Sequence, residues 1–161
     1  MKILSGIDKE KAEEYIYKTV IMARKATCLR SKCGSVVVKN NQIIGSGFNS
    51  PPANLENQRR CICLKGDYHK KVTDKTCCLH AEQRAIIDSL KNNPDKLDGS
   101  RIYFIRLDEE GLKKESGEPY CTICSKMALD VGIKEFVLLK KEGICVYDTE
   151  EYNDLSYKFK G

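Results

Sequence analysis

A chain of 161 residues with 41% apolar and 32% charged content has the size and composition of one ordinary globular domain, which buries roughly 70% of its unfolded surface. No apolar run approaches the roughly 20 residues that span a bilayer, and no linker, repeat or low-complexity tract divides the chain, so a single domain over 1–161, placed in the cytoplasm and off membranes, is expected. The net charge of +5, from 28 Lys+Arg against 23 Asp+Glu, is interspersed along the chain, which argues for a solvated surface over a nucleic-acid footprint and suits a small anionic substrate.

From Asp8 to about Thr27 the spacing of Ile16, Val20, Ala23 and Thr27 predicts a packing helix. The stretch "CGSVVVKNNQIIGSGFN" carries two β-branched runs joined at Asn40-Asn41, a pair able to take the left-handed backbone of a tight turn, and predicts an antiparallel hairpin. Phe48 to Leu79 has no period, yet holds Pro51, Pro52, His69 and four cysteines; a segment of that length needs a staple or a task. A helix opens near His80, with Ala81, Ala85, Ile86 and Leu90 on its apolar side, and stops at "NNPDKLDG". "RIYFIRL" reads as a strand, "CTICSKMALDVG" as a helix closed by Gly132, "EFVLLK" and "GICVYD" as strands, and "TEEYNDLSYKF" as an amphipathic helix. An antiparallel hairpin combined with strand-helix-strand units predicts a three-layer α/β/α domain around a mixed five-stranded sheet.

Nine cysteines, an odd number, without an export signal point to metal and not to a disulfide scaffold. In "PYCTIC", Cys121 and Cys124 stand three apart at a helix start, where unpaired N–H groups and the helix dipole favour thiolate. In "HAEQRAI", His80 opens another helix and supplies a nitrogen, which gives a His-Cys-Cys set with a fourth tetrahedral position for water. Glu82, two residues beyond His80, borders such a metal without binding it and can carry protons, while zinc brings the pKa of water from about 16 toward about 7. Taken alone, Cys-x-x-Cys fits a redox pair or half a structural zinc knot, and His-x-Glu is weak. Together, in this order, they follow the H-x-E…P-C-x-x-C signature of zinc nucleobase deaminases in everything but the place of the proline.

On these motifs, and on "ARKATCLRSKCGSVVVKNNQIIGSGFNSPP" and "CTICSKMALDVGIKEFVLL" around them, the chain resembles the zinc-dependent cytidine and deoxycytidylate deaminase superfamily, most of all its dCMP deaminases. The resemblance implies a cytidine deaminase-like fold, catalytic zinc on His80, Cys121 and Cys124, Glu82 as general acid/base, and Asn49 and Ala81 against the substrate. It also implies hydrolytic deamination of a cytosine nucleotide, dCMP to dUMP, by a dimer or hexamer. Two positions depart from the family pattern: Tyr120 stands between Pro119 and Cys121, where it can stack on a base, and Ser50 follows Gly47-Phe48-Asn49 where a glycine is usual.

Some bacterial relatives carry a second, structural zinc. Here Cys28, one of Cys61 or Cys63, and one of Cys77 or Cys78, with His69 or another cysteine as fourth ligand, would staple the long segment; the alternative is buried free thiols. Cys33 and Cys145 read as core residues. Arg24, Arg30, Arg59, Arg60, Lys65 and Lys70 offer charge for a 5′-phosphate, with none singled out. Competing functions are deamination of cytosine or adenine in RNA or single-stranded DNA, deamination of another free amino-nucleobase or nucleoside, and a non-enzymatic zinc-stapled binding module.

Overall fold

A computed structural model describes residues Met1–Gly161. Its first long element is helix α1 (Gly6–Ala23), which buries Ala12, Ile16, Val20 and Ala23. The helix stops four residues before the expected Thr27. Past its end Lys25 and Ala26 donate to carbonyls three residues back, and the Thr27 N–H goes to the Asn49 carbonyl at 3.2 Å, so the chain turns toward the sheet.

Strands β2 (Lys32–Lys39) and β3 (Gln42–Phe48) form the expected hairpin. Its turn is made by Asn40 and Asn41, at φ of 49° and 60°. Helix α2 (Ala81–Asn92), strand β4 (Arg101–Leu107), helix α3 (Thr122–Asp130), strands β6 (Glu135–Lys140) and β7 (Gly143–Asp148) and helix α4 (Thr149–Lys158) follow in the predicted order. Gly132, at φ +80°, ends α3 as its position suggested.

The sheet has seven strands, not five. The additions are β1 (Lys2–Ile3), which pairs with β7 at one edge, and β5 (Lys113–Lys114), which pairs with the end of β4. Two-residue strands show no alternation to read; they form because neighbouring strands leave ladder groups open. The order is β1-β7-β6-β4-β2-β3, with β4 and β6 parallel and the other neighbours antiparallel.

Alternation along the strands divides the core in two. Val36, Val38, Tyr103, Ile105, Val137, Ile144 and Val146 pack with Ala12, Ile16 and Val20 of α1 on one face. Val37, Ile44, Ile102, Phe104, Phe136, Leu138, Cys145 and Tyr147 pack with α2, α3 and α4 on the other. A sheet covered on both faces needs apolar residues at every strand position, which is why "VVV" and "IYFI" run unbroken. No helix is long and apolar enough to cross a membrane.

Candidate active site

The site forms where α2 and α3 begin, on the same face of the sheet. His80 is the N-cap of α2, and its backbone N–H is held by the Gln83 side chain at 2.9 Å. Cys121 is the N-cap of α3, and its Sγ accepts the Cys124 N–H at 3.5 Å. His80 Nδ1 lies 3.3 Å from both Cys121 Sγ and Cys124 Sγ. For a tetrahedral zinc with bonds of about 2.1 Å to nitrogen and about 2.3 Å to sulfur, the N···S edge is roughly 3.5 Å. The three ligand atoms lie within 4.8 Å of one another, and Glu82 is outside that group.

The electrostatics suit a cation. Hydrogen bonding with Cys124 first, then with His80, brings Cys121 down to about 4, while its thiolate raises His80 to about 9. Cys124 is raised by the same neighbour and by burial. Glu82 is 4% exposed. Burial lifts its carboxyl to about 7, against the opposing charge of His80. A carboxyl poised near neutrality can both take and give a proton there.

His80, Ala81 and Glu82 line a cleft of about 150 Å³. Asn49 and Tyr120 line it too, so the residues expected to meet substrate converge. Asn49, just past β3, is committed to the start of β2: Oδ1 accepts from the Cys33 N–H at 2.8 Å and Nδ2 donates to the Ser31 carbonyl at 2.9 Å. Tyr120 packs against Phe159 with ring centroids 5.6 Å apart. Ser50 needs no glycine's freedom, because the positive φ values fall at Ala53 and Asn54 instead.

Five cleft residues escaped the sequence reading as site residues: Ser31, Cys33, Thr76, Phe104 and Arg106. Cys33 belongs to the core as expected, yet also faces the cleft, where burial and the charge of Glu82 push its thiol up to about 11. The signal for Arg106 was present in "RIYFIRL": Ile102, Phe104 and Arg106 alternate onto one strand face.

The long segment after β3 closes on itself, since Leu79 N–H donates to the Ser50 carbonyl at 3.0 Å. Arg84 of α2 holds the Pro51 carbonyl at 2.7 Å. Cys61 and Cys78 of this loop bring their sulfurs together with that of Cys28, from the connection between α1 and β2, in a second group of potential ligands. The Cys61–Cys78 Sγ separation is 3.6 Å, near the roughly 3.8 Å edge of a zinc–sulfur tetrahedron. Burial opposes ionisation of Cys61, but the Leu29 backbone, Cys77, Cys78 and Arg59 together bring it down to about 7. Cys77 stands beside the group and takes the Arg60 N–H on its Sγ at 2.8 Å.

Two of the expected alternatives lie elsewhere. Cys63 is outside the sulfur group, and exposed His69 accepts the Lys71 N–H at 3.2 Å within its own turn.

A helix–sheet–helix domain whose two helix N-termini face each other with His-x-Glu and Cys-x-x-Cys defines the zinc-dependent nucleobase deaminase class. The chain belongs to the family of the cytidine and deoxycytidylate deaminase zinc-binding region, whose model matches residues 9–140. It is 24% identical over 120 residues to the deoxycytidylate deaminase of Schizosaccharomyces pombe, a match covering 73% of this chain and 33% of that protein. With the deoxycytidylate deaminase of Mycobacterium phage D29 it shares 29% identity over 126 residues, covering 74% of this chain and 86% of that one. The chain thus spans about a third of the yeast relative. Among solved structures it is similar to the dCMP deaminase of cyanophage S-TIM5 in complex with dCMP and dUMP. That match has a TM-score of 0.57 and 25% identity and covers 81% of this chain and 82% of that one. A cytidine deaminase from Burkholderia pseudomallei shares the fold, with a TM-score of 0.55 and 16% identity over 87% of this chain and 94% of that one.

Proposed function

We propose that this protein hydrolyses dCMP to dUMP and ammonia, with His80, Cys121 and Cys124 holding the family's zinc and Glu82 moving the protons. The observation that carries the reading is the meeting of His80 Nδ1 with both Cys121 and Cys124 sulfurs at 3.3 Å, with buried Glu82 left outside the ligand set. Zinc, when bound, supplies the Lewis acidity that brings the pKa of water toward about 7.

Glu82 takes a proton from a water and delivers it to ring nitrogen N3, then takes the second proton from the hydroxyl now on C4 and passes it to the exocyclic amine. The water oxygen ends on C4, the C4–N bond breaks, and ammonia leaves. Ala81 and Asn49 form the wall against which the ring rests, and Tyr120 offers a face on which it stacks. The choice of dCMP is supported by the names of the relatives above and by a cleft that Arg30, Lys65 and Arg106 line against the single carboxylate of Glu82.

Within the same reading, Cys28, Cys61 and Cys78, with Cys77 as fourth ligand, hold a second zinc that staples the loop. Thiols serving this way belong in a reducing compartment such as the cytoplasm, and the residues 1–161 act as one deaminase domain assembled as a homo-oligomer. The test of substrate is ammonia release from dCMP, CMP, cytidine, dCTP, guanine and a short single-stranded oligonucleotide. Release from dCMP ahead of the rest is expected; turnover confined to the oligonucleotide or to an unphosphorylated base would overturn the proposal.

A further inference from the structure

We propose that Arg106 sets the specificity of this cleft, gripping the 5′-phosphate of a nucleoside monophosphate and so distinguishing nucleotide from nucleoside. The inference rests on the cleft being a nucleotide site, as proposed above, and adds the residue that makes it one. Arg106 stands opposite Cys33 in the β2–β4 ladder, one alternation beyond Phe104, and so projects into the same cleft as His80 and Glu82.

Its guanidinium is incompletely used. One nitrogen, Nη2, donates to the Tyr120 hydroxyl at 2.9 Å. Nε is buried and has no partner. None of the six ion pairs of the molecule includes Arg106. A half-buried cation with a desolvated, unsatisfied donor is costly unless something anionic completes it. The paired terminal nitrogens of a guanidinium match two oxygens of a phosphate in a way a lysine cannot.

The other cations of the cleft are placed differently. Arg30 is spent on the loop, donating to the Cys61 carbonyl at 3.0 Å and the Cys63 carbonyl at 2.8 Å. Lys65 is exposed on a single turn, where a phosphate contact would stay hydrated and weak. Arg106 alone combines a rigid strand position, partial burial and free donors.

The test compares dUMP with deoxyuridine by titration calorimetry on the zinc-loaded protein, alongside kcat/KM for dCMP and deoxycytidine. The unmodified protein should prefer the phosphorylated member of each pair. Arg106→Gln should lower that preference by about ten- to a hundredfold, the loss expected when a charge-assisted contact is removed. Arg106→Lys, which keeps the charge and loses the fork, should recover part of it, and it carries the test if the Gln variant does not fold. Tyr120→Phe, which removes the hydroxyl and leaves the guanidinium, should retain the preference.

Three results would overturn the assignment: no preference in the unmodified protein, an unchanged preference in both Arg106 variants, or an equal collapse in Tyr120→Phe, which would make Arg106 a support for Tyr120 only. Preference for monophosphates without ammonia release from dCMP would defeat the proposed reaction and leave Arg106 in place as the phosphate ligand.

Discussion

Glu82 and His80 sit two residues apart in different surroundings, one inside the candidate ligand group and one outside it. The imidazole faces two sulfurs from the capped start of α2, while the carboxyl is buried outside that ligand group and lifted to about 7. Removing the carboxylate should therefore leave the ligand set untouched. Glu82→Gln is expected to retain its zinc by elemental analysis and to lose at least roughly a hundredfold in turnover, the usual worth of a positioned acid/base. A zinc-loaded variant with undiminished turnover would remove Glu82 from the reaction.

At the scale of elements, the site depends on how closely two helices approach the sheet. Glycines on the hairpin set that approach. A Cβ at Gly47 would lie 2.3 Å from the Ala81 carbonyl oxygen and 2.5 Å from the Ala85 nitrogen, whereas one at Gly34 would lie 2.3 Å from the Thr19 carbonyl oxygen on the opposite face. Both are backbone clashes that a rotamer change cannot relieve. Each alanine substitution is expected to cost about 2 kcal/mol or more in urea unfolding, as overpacked cores do. The two should differ in metal content: Gly47→Ala displaces the start of α2 and weakens zinc retention, while Gly34→Ala displaces α1 and spares it. Equal zinc loss in both would argue that global loosening, and not α2, governs the site.

For the molecule as a whole, the sheet supplies the frame and the loop of residues 51–78 is the part least supported by it. Its ends meet at the Ser50–Leu79 bridge, and its interior is gathered around Cys28, Cys61 and Cys78. If a metal holds that cluster, its binding energy contributes to folding. The expected content is two zinc ions per chain, falling to one in the Cys28→Ser/Cys78→Ser double variant with a drop of roughly 10 °C in Tm. One ion in the unmodified protein would dismiss the second site.

What the sequence determined by itself is local. Helix starts carry their own chemistry within a few residues, so His80, Cys121 and Cys124 were legible as one candidate ligand group with Glu82 beside it. Asn40-Asn41 marked the hairpin because two adjacent left-handed residues suffice to turn it. Long periodic runs likewise gave all four helices and the five longer strands. The tertiary structure alone decided what depends on meetings between distant segments: which loop sulfurs converge while Cys63 and His69 fall away, how two-residue β1 and β5 find partners, and that Arg106 faces the cleft. Those outcomes follow from sheet register and loop closure, which act across thirty residues or more, and side-chain pattern carries no direct record of such distances.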